Sequence, residues 1–427
     1  MNLSSPAHIV LLQKGWQALS GFVTALLVAY FLSPEEQGYY YAIGSLLSGY
    51  ILLDLGLSGL LVQISARMFP GLELRAGGQL APPGAARSSF LAMVGWSRRW
   101  YAKASLLALL LIPIGFVYFS FAKTGLQDIN WQWPWVLVVI AVALSMPVYP
   151  LISVIEGTGR IAEVYLVRLA HYGLGALLAW TLLASDLGLY APAMAPLAVA
   201  LTAFAWLRLH HCALLDDAES RTGFSWRDQV WPLQKRVALS WLASYAFLNT
   251  PTLIVFYFSD AVSAGQLGLS IIIANILGSL CASWLIAKVP RITHLAAQGH
   301  GEDSKRLFLS EFRKAVLLML VAYGAGIAAV WLIGGTSIAN RILPPFELTM
   351  LFGVFMVFHG VSMLAVYFRA NNQEPMALTV TLSTLASVLL ACFLATDYGV
   401  LGVLNSFLAI YGGVCVIAMY LAWISHE

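Results

Sequence analysis

Charged residues are scarce. Asp, Glu, Lys and Arg together make up 10% of the 427 residues, against roughly 25% in soluble domains, too few to clothe a water-facing surface. Excess charge is small as well. The net charge is +3 and the Lys and Arg gather in no single patch, which excludes a nucleic-acid reader. The four cysteines, Cys212, Cys281, Cys392 and Cys415, have no CxxC spacing and three fall in apolar runs. They read as packing residues, not as a disulfide framework or a metal set, so neither metal nor cofactor is expected. A GxxxxGK[ST] phosphate loop is missing, which argues against an ATP-driven pump. No cleavable leader is expected, because the first apolar run continues from His8 to Leu32 without a small-residue cleavage site.

What fills the chain is apolar: 60% of the residues are hydrophobic. Runs of about 20 apolar residues, each long enough to cross a bilayer as a helix, predict twelve spans. They lie near 9–32, 40–64, 101–121, 134–155, 161–184, 190–209, 237–258, 265–287, 315–334, 348–368, 377–395 and 400–423. Between the first two, Ser33-Pro34-Glu35-Glu36 reads as a helix cap and acidic first turn. About 20 of the 23 Lys and Arg fall at the N-terminus and in alternate loops around 65–100, 156–160, 207–236, 288–314 and 369–376. Of the rest, Lys123 and Arg341 lie in the opposite set and Arg168 lies inside a span. The positive-inside rule then predicts a multi-pass protein with both termini in the cytoplasm. The acids on the other side, Glu35, Glu36, Asp128, Asp186, Asp260, Glu347 and Asp397, stand in separate short turns. None assembles the acid-base or metal constellation that a membrane glycosyltransferase, polymerase or ligase needs, so the chain does not read as an enzyme.

Three of the basic loops have content. Residues 65–100 contain PGLELRAGGQLAPPGAAR, read as a flexible loop because its Gly and Pro cannot sustain a helix. Residues 210–236 mix DDAES with WRDQVWPLQKR. The segment EDSKRLFLSEFRKA alternates apolar Leu307, Phe308, Leu309 and Phe312 with Lys305, Arg306, Arg313 and Lys314, a pattern that suits a helix lying on the membrane surface; a solvated connector fits as well. A faint internal repeat matches Tyr30-Phe31 with Tyr257-Phe258 and Gly38 with Gly268. It also pairs EGTGR at 156–160 with RANNQ at 369–373, and SDLGLYAP at 185–192 with TDYGVLGV at 396–403. The fold class expected is therefore an all-α polytopic membrane protein with two six-helix bundles, 1–209 and 237–427, joined by a linker at 210–236.

The stretch LSPEEQGYYYAIGSLLSGYILLDLGLSGLL resembles the opening of the polysaccharide transporter family, the O-antigen and exopolysaccharide flippases of the multidrug, oligosaccharidyl-lipid and polysaccharide exporter superfamily. AGQLGLSIIIANILGSLCASWLIAKVPRITHLAAQGHGED is similar to that family's eighth span and following loop, and EGTGRIAEVY fits it too. The loop at 65–100 is longer and richer in Gly and Pro than the family's pattern. The resemblance implies a V-shaped pair of bundles in the bacterial inner membrane. It would move an undecaprenyl-diphosphate-linked oligosaccharide between leaflets by alternating access, with membrane lipids and polysaccharide polymerase or export machinery as partners. The runner-up is a drug or cation antiporter of the same superfamily.

A lipid-linked diphosphate sugar wants cations for its phosphates and polar and aromatic groups for its sugar. Arg168 and His171 sit at i and i+3 on one helix face, roughly 12 and 17 Å deep counted from Arg160. Arg168 either faces a cavity or pairs with Asp54, Glu156 or Glu163. Asp54, roughly 20 Å in from Arg67, is an ion-coupling carboxylate or the counter-charge of Arg168. His359, about 15 Å from Arg369, and His171 are the other protonatable groups that could couple an ion. Lys14, Gln17, Ser20 or Gly21, and Thr24 form a polar stripe on the first span. Asn249-Thr250-Pro251 is a helix break that could act as a hinge at Pro251. Asn249, Asn275, His359 and Arg369 complete the candidate substrate-binding set; Asn275 and Asn405 could bind sugar hydroxyls but read more readily as interhelical glue.

Overall fold

A computed structural model describes residues 6–122, 129–216, 224–370 and 375–424. Lys123 and Asp128, most of DDAES, and Asn371 to Gln373 of RANNQ lie outside the described residues. The helices, in chain order, are α1 (Pro6–Phe31), α2 (Pro34–Leu47), α3 (Leu57–Met68), α4 (Ala85–Ala108), α5 (Leu111–Phe121), α6 (Gln132–Ser145), α7 (Tyr149–Gly157), α8 (Ile161–Leu183) and α9 (Met194–His210). They continue as α10 (Trp231–Phe258), α11 (Ala261–Ile286), α12 (Val289–Ala297), α13 (Gly301–Leu332), α14 (Pro345–Ala370), α15 (Ala377–Ser406) and α16 (Gly413–Ile424). Among the described residues, ten helical stretches are long and apolar enough to span a bilayer. One of these, Ala377–Ile424, has 48 residues and breaks at Gly399, whose φ is 52°, so it supplies two spans. The 26-residue α1 is long enough to cross but is not one of these ten, so the spans number about ten to twelve, against the twelve expected. The chain is an all-α, multi-pass membrane protein.

The crossings divide into two compact units. One contains Met1–Leu32, Leu46–Ser120 and Asp128–Trp241; the other contains Ser33–Ser45, Phe121–Gln127 and Leu242–Glu427. Chain order alone would have put residues 33–45 with the first.

In the first unit α1 runs along α8, fastened by Gln17 Nε2 donating to the Tyr172 hydroxyl (3.3 Å) and by Trp180 Nε1 donating to Thr24 Oγ1 (2.9 Å). The α3 helix packs on α7, where Ser65 Oγ donates to the Val154 carbonyl at 2.8 Å. The second crossing is not one helix. After the turn Ile51–Asp54 the backbone enters the left-handed region at Leu55 (φ 44°) and Gly56 (φ 75°) before α3 begins. Glycine suits that position, since a Cβ at residue 56 would also come within 2.6 Å of Trp241 Nε1.

The loop expected to be flexible is built. Glu73–Leu74 and Leu80–Ala81 pair as an antiparallel hairpin, β1 and β2. Arg160 Nη2 donates to the Leu74 carbonyl at 2.5 Å, and Gly78 lies so close to His211 that a Cβ would meet its Cα at 2.8 Å. Gly and Pro do prevent a helix here, but they shape a turn instead of leaving the chain loose. Beyond it, α4 begins already at Ala85.

In the second unit, Ser33 and Glu36 close the capping box expected at the start of α2: Ser33 N–H donates to Glu36 Oε2 (2.8 Å) and Glu36 N–H to Ser33 Oγ (3.1 Å). Helix α11 is capped too, with Ser263 N–H donating to Asp260 Oδ1 at 2.8 Å. The glycines that the repeat matches pack these two helices together. A Cβ at Gly38 would lie 2.0 Å from the Ala261 carbonyl oxygen, and one at Gly268 would lie 2.6 Å from Tyr41 Cβ. Gln37, buried beside them, donates to the Gly265 and Arg341 carbonyls, each at 2.9 Å.

One further expectation is corrected. EDSKRLFLSEFRKA is the first part of the 32-residue α13, continuous with a span, and not a separate surface helix. Phe308 is buried there and stacks on Tyr367 (4.5 Å), which satisfies the apolar face within the protein. At Pro251, α10 runs through as a single helix from Trp231 to Phe258, with Thr250 Oγ1 donating to the Ala246 carbonyl at 2.5 Å.

Candidate functional site: a polar cavity in the first unit

Four helices of the first unit carry polar side chains at helical spacing toward one another. From α7 come Tyr149, Ser153 and Glu156, at intervals of four and three; from α8 come Arg168, His171 and Tyr172. With Gln13 and Lys14 of α1, and Ser58 at the first turn of α3, they line a cavity of about 450 Å³. Gly59, Val62, Ile152 and Val199 supply its apolar wall.

The charges are arranged unevenly. Arg168 Nη2 donates to Glu156 Oε2 at 2.6 Å, a short charge-assisted pair, and its guanidinium lies 4.8 Å from the centre of the Tyr165 ring. Lys14 shares the cavity and is exposed. The fixed charges therefore sum to one excess positive charge. Two polar atoms on the wall have no hydrogen-bond partner among the described residues, Gln13 Oε1 and His171 Nδ1. Their residues are 1% and 6% exposed, so these atoms carry unmet bonding capacity just behind the wall surface.

Asp54 is placed otherwise than as the counter-charge of Arg168. It accepts from Ser58 N–H (3.2 Å), from Ser58 Oγ (3.0 Å) and from the Tyr101 hydroxyl. A carboxylate beside free N–H groups at the start of a helix is favoured by the helix dipole, so α3 and Tyr101 hold Asp54 and leave Arg168 to Glu156. Gln17 reaches the site at one remove, through its bond to Tyr172. Ser20 and Thr24 bond within their own helix.

The other expected residues belong to the second unit. Asn249 donates to the Tyr245 carbonyl of its own helix at 3.2 Å, and Asn405 likewise to Leu401 at 2.9 Å. Asn275 is half-buried on α11 and Arg369 is exposed near the end of α14. His359 is 4% exposed and packs beside Phe355 and Phe358. A Cβ on Gly278 would fall 2.1 Å from its ring. The structure thus brings Lys14, Arg168 and His171 together and leaves Asn249, Asn275, His359 and Arg369 out of this cavity. Among the described residues no group of three His, Cys, Asp or Glu could hold a metal ion.

Sequence reading missed Gln13, Ser58, Tyr149, Ser153 and Tyr172. Their signal was present as spacing: Tyr172 lies four residues after Arg168, and 149, 153 and 156 repeat with helical period. Serines and tyrosines are too common in membrane helices for that alone to single them out.

No protein-family model matches the sequence, and no curated protein matches it either. Solved structures do. A multidrug resistance MATE family transporter of the MOP superfamily, in an inward-facing conformation, has a TM-score of 0.63 at 13% identity, over 96% of this chain and 94% of that one. The lipid II flippase MurJ, in an inward closed conformation, has 0.65 at 12% identity, over 97% and 87%. The MATE multidrug transporter DinF-BH has 0.54 at 13% identity, over 99% and 94%. These neighbours are transporters and a flippase, not enzymes. This chain, with its two helical units, has the fold of the MATE transporters and of MurJ.

Proposed function

We propose that this protein is a secondary transporter of the bacterial inner membrane. It moves an undecaprenyl-diphosphate-linked oligosaccharide from the cytoplasmic to the periplasmic leaflet by alternating access coupled to an ion. The observation that carries the reading is the cavity holding Arg168, Lys14 and His171 among Gln13, Tyr149, Tyr172 and two serines. Its excess positive charge suits a diphosphate, its amide, hydroxyl and aromatic groups suit a sugar, and the polyprenyl tail stays in lipid. Arg168 presents a planar fork that matches phosphate oxygens, and a phosphate takes the position that the Glu156 carboxylate fills. Asp54, held on α3, and His171, on the cavity wall, are the groups through which a proton or sodium ion would couple. Polymerase or export machinery would receive the delivered unit. The fold it shares with MurJ supports transport of a lipid-linked precursor as the reading.

A second reading, export of a small organic cation, is favoured by the carboxylate of Glu156 in the same cavity and by the fold shared with DinF-BH. Deleting the gene and extracting lipid-linked sugars distinguishes the two. Flipping predicts that a complete, unpolymerised repeat unit accumulates in the inner leaflet, protected from an external probe. An unchanged pool of sugar lipids selects the cation exporter. A repeat unit stalled in the outer leaflet points to lost polymerisation or ligation and overturns both.

A further inference from the structure

Four tryptophans of the first unit form a continuous ladder outside the cavity. Trp96 stacks on Trp100 (6.4 Å, 8° between planes) and on Trp226 (6.1 Å, 19°), Trp226 meets Trp231 at 5.2 Å, and Phe224 closes on Trp96 at 5.6 Å. The Trp226 indole N–H is fixed on Gln234 Oε1 at 3.0 Å. Yet the outer rungs stay open, with Trp100 38% and Trp231 44% exposed.

Each side of the ladder carries a basic stripe. On α4, Trp96, Arg99, Trp100 and Lys103 repeat at helical spacing; on the other strand of chain, Arg227, Trp231 and Lys235 follow at intervals of four, and all of them except Trp96 are exposed. Asp228, a carboxylate among them, accepts from Ser225 Oγ at 2.6 Å and keeps its charge, but the cations Arg99, Lys103, Arg227 and Lys235 outnumber it. Directly beyond Lys103 the same polypeptide turns outward-apolar, with Leu106, Leu107, Leu110, Ile114, Val117 and Phe121 all exposed. That apolar face is what hydrocarbon covers, so the ladder stands at the height where headgroups begin. Indole rings are favoured at that level, and basic residues there attract anionic lipids.

We propose that the tryptophan ladder with its two basic stripes is a docking site for the headgroup of an anionic phospholipid. The phosphate and its charge lie between the stripes, the glycerol backbone lies against the indoles, and the acyl chains run down the exposed face of α4 and α5. Continuity with that apolar face selects a lipid over an acidic protein as the occupant. The site is independent of what the cavity transports.

The test uses the full-length protein in bilayers that mix phosphatidylglycerol and phosphatidylcholine, with co-released lipid counted by native mass spectrometry. Wild type is expected to retain phosphatidylglycerol preferentially. Substituting Arg99, Lys103, Arg227 and Lys235 by Gln is expected to weaken that preference about fivefold per charge removed. Thermal unfolding in pure phosphatidylcholine checks that the variant folds; if it does not, the pair Arg99→Gln and Lys103→Gln gives the same reading at half the charge. Equal retention of both lipids by wild type overturns the proposal. So does an undiminished preference in a folded variant, or a co-purifying protein that protects the tryptophans in place of lipid.

Discussion

His171 and His359 carry the same signal in the sequence, a lone histidine inside an apolar helix, and end in opposite surroundings. Both are buried, and each keeps one ring nitrogen without a hydrogen-bond partner among the described residues. His171 faces the polar cavity with Arg168 one turn before it and Lys14 and Glu156 on its walls. His359 is wedged between phenylalanines and the flat surface that Gly278 leaves. The decisive difference is in the neighbours: a cation at i−3 in one case, aromatic residues at i−1 and i−4 in the other. The histidine among charges can exchange a proton or a bond with a cavity ligand under the proposed function, and the one among rings is left with packing contacts.

The largest effect expected falls on the charged side of this comparison. Arg168→Ala should cut transport at least about thirtyfold, the scale of losing one partner of a desolvated charge pair, while the protein still reaches the membrane. Arg168→Lys should retain part of the activity, because a point charge replaces a fork. Normal export by a well-expressed Arg168→Ala protein would remove this residue from the mechanism. On the aromatic side, Gly278→Ala should lower stability by about 1–3 kcal/mol, since the added methyl collides with a ring that has no room to retreat. An unchanged melting temperature would mean that His359 is loosely held.

The pair itself can be separated by making the same change twice. His171→Leu is expected to reduce transport several-fold, and His359→Leu to leave it within about twofold, because removing a buried polar atom that lacks a partner costs little. Equal losses would mean that the two surroundings do not differ in function. The smallest effect expected comes from a third buried histidine, His211, outside the spans. Burial pushes its pKa below the ordinary 6.5, while its hydrogen bond with Glu163 pulls the other way. The unfolded chain therefore takes up a proton before the folded one does, and the stability present above pH 6.5 is lost as the pH falls below it. Melting temperatures measured from about pH 7.5 down to about pH 5.5 should decline, and His211→Gln should flatten the slope. A steeper decline in the variant would reverse the assignment.

The crossings were legible because hydrocarbon demands long apolar runs, and the cap at Ser33-Glu36 because those two residues satisfy each other locally. Arg168 and His171 were legible as polar residues at unfavourable depth. The partner of Arg168 was not, since Asp54, Glu156 and Glu163 are equally plausible by spacing and only packing distinguishes them. The break after Asp54 was hidden for a different reason. Leu55, a β-carbon-bearing residue in left-handed backbone, adopts a conformation that no propensity favours. The hairpin at 73–81 was misjudged because Gly and Pro mark both loose and tightly turned chain.

The two helix caps also bear on how the protein is made. Ser33 to Glu36 and Asp260 to Ser263 each complete their bonds within four residues. Both turns can close on the timescale of local helix formation, far faster than the ribosome adds residues. Each re-entering helix can therefore be started from its own turn: α2 before α11 has been synthesised, and α11 before α13 and α14, with which it also packs.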